Sequence, residues 1–432
     1  MGANLIHTRA ASRVRFIRFS AGGFSPVSLD RARAARQHRN MSSTGVTHPE
    51  LLDGTINWLA RLVAFDTTSR HSNLPLIDEV EAYLKARNVP THRVPSDDGQ
   101  KSNLFALVGP VVEGGIILSG HTDVVPVDGQ EWSTDPWILT QKGDKLYGRG
   151  SSDMKSFLAL CLAHVDVALA ADLKRPLIFA FSYDEEVGCL GAPRMIDFIA
   201  KTVPKPAGAI IGEPTDMKVV SAQKGVLVVQ TDIEGHEAHS SQIDQGVSAV
   251  MIAARLMGLV LSMSDEARAT APDDPLMEPS GTTITVNKIQ GGTAANILAK
   301  ECSFVFDVRF SAEDDPDAYL RLYEAEAKRL ESEMKKIDAG CSIKVSVRLT
   351  PPLAHVPNTA VEVLARALTG DNSPRGVAYA AEAGQFQQAG FDAVICGPGS
   401  ILQAHQPDEF VEIDQLAQGC QFFEMLIKRL SQ

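Results

Sequence analysis

The stretch PLIFAFSYDEEVG, residues 176–188, decides how this chain is read. Its first eight residues are apolar almost throughout, with no alternation, as in a strand buried on both faces of a sheet. Asp184, Glu185 and Glu186 follow at once. Three carboxylates at the mouth of an apolar strand repel one another and lose hydration, so a positive partner is expected beside them. A solvated loop would explain the triplet on its own. The choice depends on what the rest of the chain brings to that strand end.

Working outward, Leu52, Ile56, Leu59 and Val63 recur at three- and four-residue spacings and predict a helix over 51–63. A second helix is expected over 76–87, strands over 103–108 and 116–119, and one helix over 155–170. A helix over 193–200 and a strand over 209–211 follow the carboxylates. Helices alternating with fully apolar strands predict a mostly parallel sheet covered by helices. From Lys224 the rhythm changes: strand 226–233, helix 247–263, strands 282–289 and 302–310, a charged helix 317–335, strand 342–349. That order is the split, ferredoxin-like unit. Beyond Pro351-Pro352 the first pattern resumes with helices over 360–368, near Gln385 and over 416–430, and a strand over 393–396. The expected fold class is therefore α/β. A helix-covered, mostly parallel-sheet domain of residues 46–223 and 350–432 is interrupted by a ferredoxin-like α+β domain of residues 224–349.

Net charge of −12 argues against a nucleic-acid footprint, which needs clustered Lys and Arg. No apolar run is long enough to span a membrane. The six cysteines include no CxxC pair and sit mostly in apolar runs, as buried thiols of a reducing compartment do. The first forty residues hold eight arginines, no lysine and one acid, Asp30. That is the composition of a mitochondrial transit peptide. A start codon placed upstream of Met41 reads equally from the same residues. Residues 1–45 are set aside from the fold. The expected compartment is the cytoplasm, or the mitochondrial matrix if the arm is a transit peptide.

Sites in open α/β sheets form beyond the carboxyl ends of the strands. Four segments place candidate ligands there: His121 in GHTD, Glu185 and Glu186, Glu213 in GEP, and His405 after GPGS. Asp153, in GRGSSDMK, stands at a helix start, where anions are favoured. Each has a plainer reading: a surface histidine, a turn cap, a first-turn acid, a solvated loop. Their coincidence at strand ends argues for a site. Two histidines and three carboxylates form a nitrogen–oxygen set suited to zinc, cobalt or manganese. Five ligands suit a pair of divalent ions about 3.5–4 Å apart better than one tetrahedral ion. Asp153, the lone acid of its segment, is the expected shared ligand. Adjacent Glu185 and Glu186 point apart, so one can ligate while the other faces substrate.

The motifs SGHTDVVP, GRGSSDMK, DEEVG, GEPTDM, GHEAHSS and GGTAANIL occur in this order from Ser119 onward to Leu298. From about residue 50 to its end the chain resembles the dinuclear-zinc amidohydrolase and exopeptidase family of acetylornithine deacetylase, succinyl-diaminopimelate desuccinylase, aminoacylase and carnosinase. QKG at 223–225 and GPGSILQAHQPDEF at 397–410 look most like the acetylornithine deacetylase branch. The resemblance implies that His121 and Glu213 bind one zinc, Glu186 and His405 the other, and Asp153 both, with cobalt as a possible substitute. It implies that Asp123 holds His121 in its ligating tautomer and that Glu185 is the general base. Residues 224–349 become a lid and dimerisation domain that opens and closes, and His239 reaches the active site of a homodimer partner. Arg309 and Asn296 become candidates for binding the substrate's α-carboxylate, Arg because its planar fork matches a carboxylate. His236 is read as structural. Ser156 stands where the family often has Gly. The implied reaction is hydrolysis of the N-acyl amide bond of a small N-acyl amino acid, N2-acetyl-L-ornithine first, with desuccinylase, aminoacylase and dipeptidase activities as alternatives. A non-catalytic metal-containing binding protein would lack the base or a ligand, and all are present.

Overall fold

A computed structural model describes residues 49–432. The arginine-rich arm, with the transit-peptide and start-site readings attached to it, lies outside the described residues. The chain opens with α1 (Pro49–Val63), α2 (Leu74–Lys85), β1 (Thr91–Pro95), β2 (Ser102–Val108) and β3 (Ile116–His121). Then come β4 (Thr140–Lys142), β5 (Lys145–Tyr147), α3 (Lys155–Ala163), α4 (Val165–Ala170), β6 (Leu177–Ser182), α5 (Ala192–Thr202), β7 (Gly208–Ile211) and β8 (Ala222–Gln223). A middle stretch holds β9 (Gly225–Glu234), α6 (Ala249–Ala269), β10 (Thr283–Gly291), β11 (Glu301–Phe310), α7 (Pro316–Met334) and β12 (Ser342–Thr350). The chain closes with α8 (Ala360–Thr369), β13 (Gly376–Val377), α9 (Ala383–Gln388), β14 (Ala393–Ile395), β15 (Phe410–Glu412) and α10 (Ile413–Leu430).

The main sheet runs β1-β2-β6-β3-β7-β14. Strands β6, β3, β7 and β14 are mutually parallel, and β2 and β1 add antiparallel neighbours on one side. Alternate residues of each strand enter opposite cores. Ile116, Leu118, Phe179 and Ile210 pack with α1, α3, α8 and α10, while Ile117, Ile178, Ala209 and Ile211 pack with α5 and α9. Burial on both faces is why these strands are apolar without alternation. Their parallel direction delivers the ends of β3, β6, β7 and β14 to one edge of the sheet.

The second sheet is wholly antiparallel in the order β10-β11-β9-β12. The first strand of that stretch thus lies between the third and the fourth, the ferredoxin-like arrangement. Here burial alternates: Phe304, Phe306 and Val308 of β11 face α6 and α7, and the residues between them stay partly exposed. Ser248 caps α6 and Asp315 caps α7, each accepting a backbone N–H of the first turn. Among the described residues no helix is long and apolar enough to cross a membrane. All six cysteines are buried and free.

One expected element is divided. The helix over 155–170 breaks at His164, which ends α3 and begins α4. The His164 Nδ1 donates to the Leu160 carbonyl at 2.8 Å, and its ring lies against Phe423. Burial is the leading cause that pulls the imidazole down from 6.5 to about 4. The unfolded chain therefore binds a proton that the folded chain refuses. Stability from this residue is complete above about pH 6.5 and is lost as pH falls towards about 4, by about 3 kcal/mol. We expect His164→Phe to flatten that part of the acid limb in denaturant titrations. An unchanged slope between pH 6.5 and 4 would contradict it.

Candidate active site

Two glycines explain why two of the motifs begin as they do. Gly120 precedes His121 and Gly212 precedes Glu213, each at the end of a parallel strand. A β-carbon on Gly120 would meet Leu158 at 2.6 Å and Met154 at 2.9 Å, and one on Gly212 would fall 2.0 Å from the Phe157 ring. Both strand ends thus lie directly against the start of α3, just after Asp153. The peptide between Asp153 and Met154 is cis.

That approach brings the ligand candidates together. The His121 Nε2 lies 2.9 Å from Asp153 Oδ1 and 3.8 Å from Glu213 Oε1. On the other side, His405 Nε2 lies 2.9 Å from Glu186 Oε2 and 3.4 Å from Asp153 Oδ2. Two triads result, His121–Asp153–Glu213 and Asp153–Glu186–His405, each with its donor atoms within 4.8 Å. Asp153 belongs to both, one oxygen to each side. The first triad is buried, whereas His405 keeps 53% of its side chain exposed.

Asp123 is placed beside His121, and its main chain makes the contact. The His121 Nδ1 donates to the main-chain carbonyl of Asp123 at 2.9 Å, which turns Nε2 towards the triad. The Asp123 carboxylate instead accepts from Ser69 Oγ at 2.7 Å and from the amides of Glu185 and Glu186 at 3.1 and 3.3 Å. It orders the carboxylate turn. Asp184 completes that turn with a left-handed backbone and an ion pair to Lys101.

The electrostatics are those of acids crowded into one cleft. Burial, then the neighbouring carboxylates, push Glu185 up to about 8 and Glu186 up to about 7. Burial and Asp153 hold Glu213 well above the carboxylate range. For Asp153 burial works upward, but the hydrogen bonds of His121 and His405 outweigh it and hold the group far down. Hydrogen bonds to Asp153 and Glu186 push His405 up to about 10. Positive charge is in demand throughout.

The remaining candidates lie apart from the triads. His239 is exposed, with its Nδ1 2.7 Å from Ser241 Oγ, in a segment that bridges to Ile297. Asn296 is exposed, and its carbonyl accepts from the Ser240 amide at 3.0 Å. Arg309 pairs with Asp307 at 3.3 Å and donates to the Ala378 carbonyl at 3.0 Å. His236 pairs with Asp338 on the surface. Ser156 is fully buried at the start of α3.

Sequence reasoning missed three groups. Glu382 is buried behind β3 and accepts from Ser119 Oγ at 2.9 Å. The Tyr379 hydroxyl is buried and meets no hydrogen-bond partner among the described residues. Arg149 and Glu409, inside motifs quoted above, form a buried pair at 2.7 Å. An acid between small residues (Glu382 in AAEAG) and an unassigned charge inside a motif were the available signals.

Comparison with known proteins agrees with this architecture. A family model described as peptidase family M20/M25/M40 matches residues 117–429. An acetylornithine deacetylase of Myxococcus xanthus is 34% identical over 363 residues, 83% of this chain and 92% of that protein. An M20 family metallo-carboxypeptidase of Sulfolobus solfataricus superposes with a TM-score of 0.70 at 18% identity, over 87% of this chain and 99% of that one. A Bacillus subtilis protein described as a dinuclear metal binding peptidase of the M20 family superposes with a TM-score of 0.55 at 15% identity, over 88% and 98% of the two chains.

Proposed function

The chain belongs to the peptidase family M20/M25/M40 as a metal-dependent amidohydrolase, and we propose that it hydrolyses the N-acyl amide bond of a small N-acyl amino acid, N2-acetyl-L-ornithine before others. The observation that carries this reading is the pair of triads sharing Asp153. The donor set fits two divalent ions: it is all nitrogen and oxygen, and burial with neighbouring carboxylates pushes Glu186 and Glu213 upward, a crowding of acids that bound cations would relieve. His121, Glu213 and Asp153 would hold one ion and Asp153, Glu186 and His405 the other, zinc or cobalt by donor chemistry.

Such ions, when bound, supply Lewis acidity that polarises the acyl carbonyl and lowers the pKa of water. The protein's own part falls to a few side chains. Glu185, left out of both triads, takes the proton of the attacking water and returns it to the leaving nitrogen. Asp123 holds Glu185 and His121 in place through the contacts above. Arg309 and Asn296 receive the substrate's α-carboxylate, and His239 of a second subunit donates to the developing oxyanion, which makes the enzyme a homodimer. Residues 224–349 act as the lid. Arg348 donates to the Val187 carbonyl at 3.0 Å and Thr350 to that of Gly188 at 3.3 Å, so the second sheet grips the turn that carries the base.

A panel of N-acetylornithine, N-acetylmethionine, N-succinyl-diaminopimelate and simple dipeptides, assayed with metal analysis, tests the proposal. We expect acetate release from N-acetylornithine at the highest kcat/KM, loss on chelation, and recovery with zinc or cobalt. Preference for a dipeptide or a succinyl substrate would overturn the substrate assignment. Turnover indifferent to chelation would overturn the metal one.

A further inference from the structure

Glu409 stands four residues after His405, and neither triad uses it. It pairs with Arg149, and both side chains are 1% exposed. A buried ion pair of this kind is weak evidence for stability, because desolvating two charges offsets most of their attraction. Its surroundings make a different case. The Glu409 Oε1 accepts from the amides of Ser152 at 2.8 Å and Asp153 at 3.0 Å. Its Oε2 accepts from the Gly150 amide at 2.9 Å and from Arg149 Nη1 at 2.7 Å. One carboxylate therefore ties down the backbone on which the shared ligand Asp153 is mounted.

The same charge pair reaches the other ligand. Arg149 Nη2 donates to Gln130 Oε1 at 2.5 Å, and Gln130 Nε2 donates to the His405 carbonyl at 2.9 Å. His405 holds a left-handed backbone, with φ of 64°, which an L-residue adopts at a cost. Asp408 does the same at 56°, and its carboxylate accepts from the Ser133 amide at 2.8 Å. The loop from His405 to Asp408 is thus pinned at both ends to residues 130–133, while Glu409 pins residues 150–153. Three separate chain segments meet on one buried Arg–Glu pair.

We propose that Glu409, with Arg149 and Gln130, is a positioning device that fixes Asp153 and His405 relative to each other and so sets the affinity of the dinuclear centre. This rests on the assignment of the two triads as metal sites. Glu409 governs both ions through the Asp153 backbone. Gln130 governs only the ion held by Asp153, Glu186 and His405. Partners that orient metal ligands typically contribute about 10- to 100-fold in affinity.

The test is stepwise titration of the full-length, metal-stripped protein with zinc, by calorimetry and chelator competition. Thermal melting of the same metal-free samples accompanies it. Wild type is expected to bind two ions. Glu409→Gln, which keeps the shape but removes the charge, is expected to weaken both steps by about 10- to 100-fold. Gln130→Leu is expected to weaken one step by about 10-fold and leave the other unchanged. If the pair were merely structural, Glu409→Gln would lower the metal-free melting temperature with both affinities within twofold of wild type, and the inference would fall. Should Glu409→Gln not fold, Gln130→Leu decides on its own: one weakened step supports the device, two unchanged steps overturn it. A wild-type chain that binds fewer than two ions overturns the dinuclear assignment itself, and this inference with it.

Discussion

Glu185→Gln is expected to retain both metal ions and to lose turnover by about 10²–10⁴-fold, the contribution of a well-placed general base. The geometry separates Glu185 from its neighbour: Glu186 closes the triad with His405 and Asp153, while Glu185 belongs to neither triad. Its amide is held by Asp123, and its Oε1 receives the Cys189 thiol at 3.2 Å. Replacing one carboxylate oxygen by an amide nitrogen removes the proton acceptor and little else. The check is a metal count beside kcat for purified wild type and variant. A variant with two ions and near-normal kcat would remove Glu185 from the mechanism. A variant with fewer ions would make it a ligand.

Asp153→Ala is expected to do more damage by a different route. Asp153 is the one residue common to both triads, so its loss leaves each with two ligands. We expect the metal content to fall from two ions to less than one and the affinities to drop by more than the about 100-fold at the upper end for supporting residues. His405→Ala, by contrast, should empty one site and spare the other. The fold should survive Asp153→Ala, because Glu409 binds the main-chain amide of residue 153, which the substitution keeps. Metal content after dialysis, read with circular dichroism, separates these outcomes. Two ions retained in Asp153→Ala would contradict the shared role.

Much of this was legible in the sequence because the signals are local. Strands buried on both faces have to be apolar without alternation, so β3, β6 and β7 stand out. Parallel strands have to end on one edge, so ligand residues straight after them fall together there. The ferredoxin-like order of β9 to β12 followed from the alternation of burial and the two intervening helices. Short or polar elements escaped. Strand β1, THRVP, lies at an edge and is half exposed, and β4, β5 and β15 are three residues each. The break at His164 depends on a side chain competing for a backbone carbonyl, which no apolar periodicity records.

By itself the sequence determined the fold class, the strand ends that carry chemistry and the identity of the five candidate ligands. Only the tertiary structure decided which atoms meet. It gave one oxygen of Asp153 to each triad, and it gave the His121 contact to the carbonyl of Asp123 rather than its carboxylate. It also joined Arg149 to Glu409 across 260 positions of the chain. The physical reason is range. Hydrophobic periodicity reports on neighbours within a few residues, whereas the partner of a buried charge is set by where the whole sheet and its loops converge.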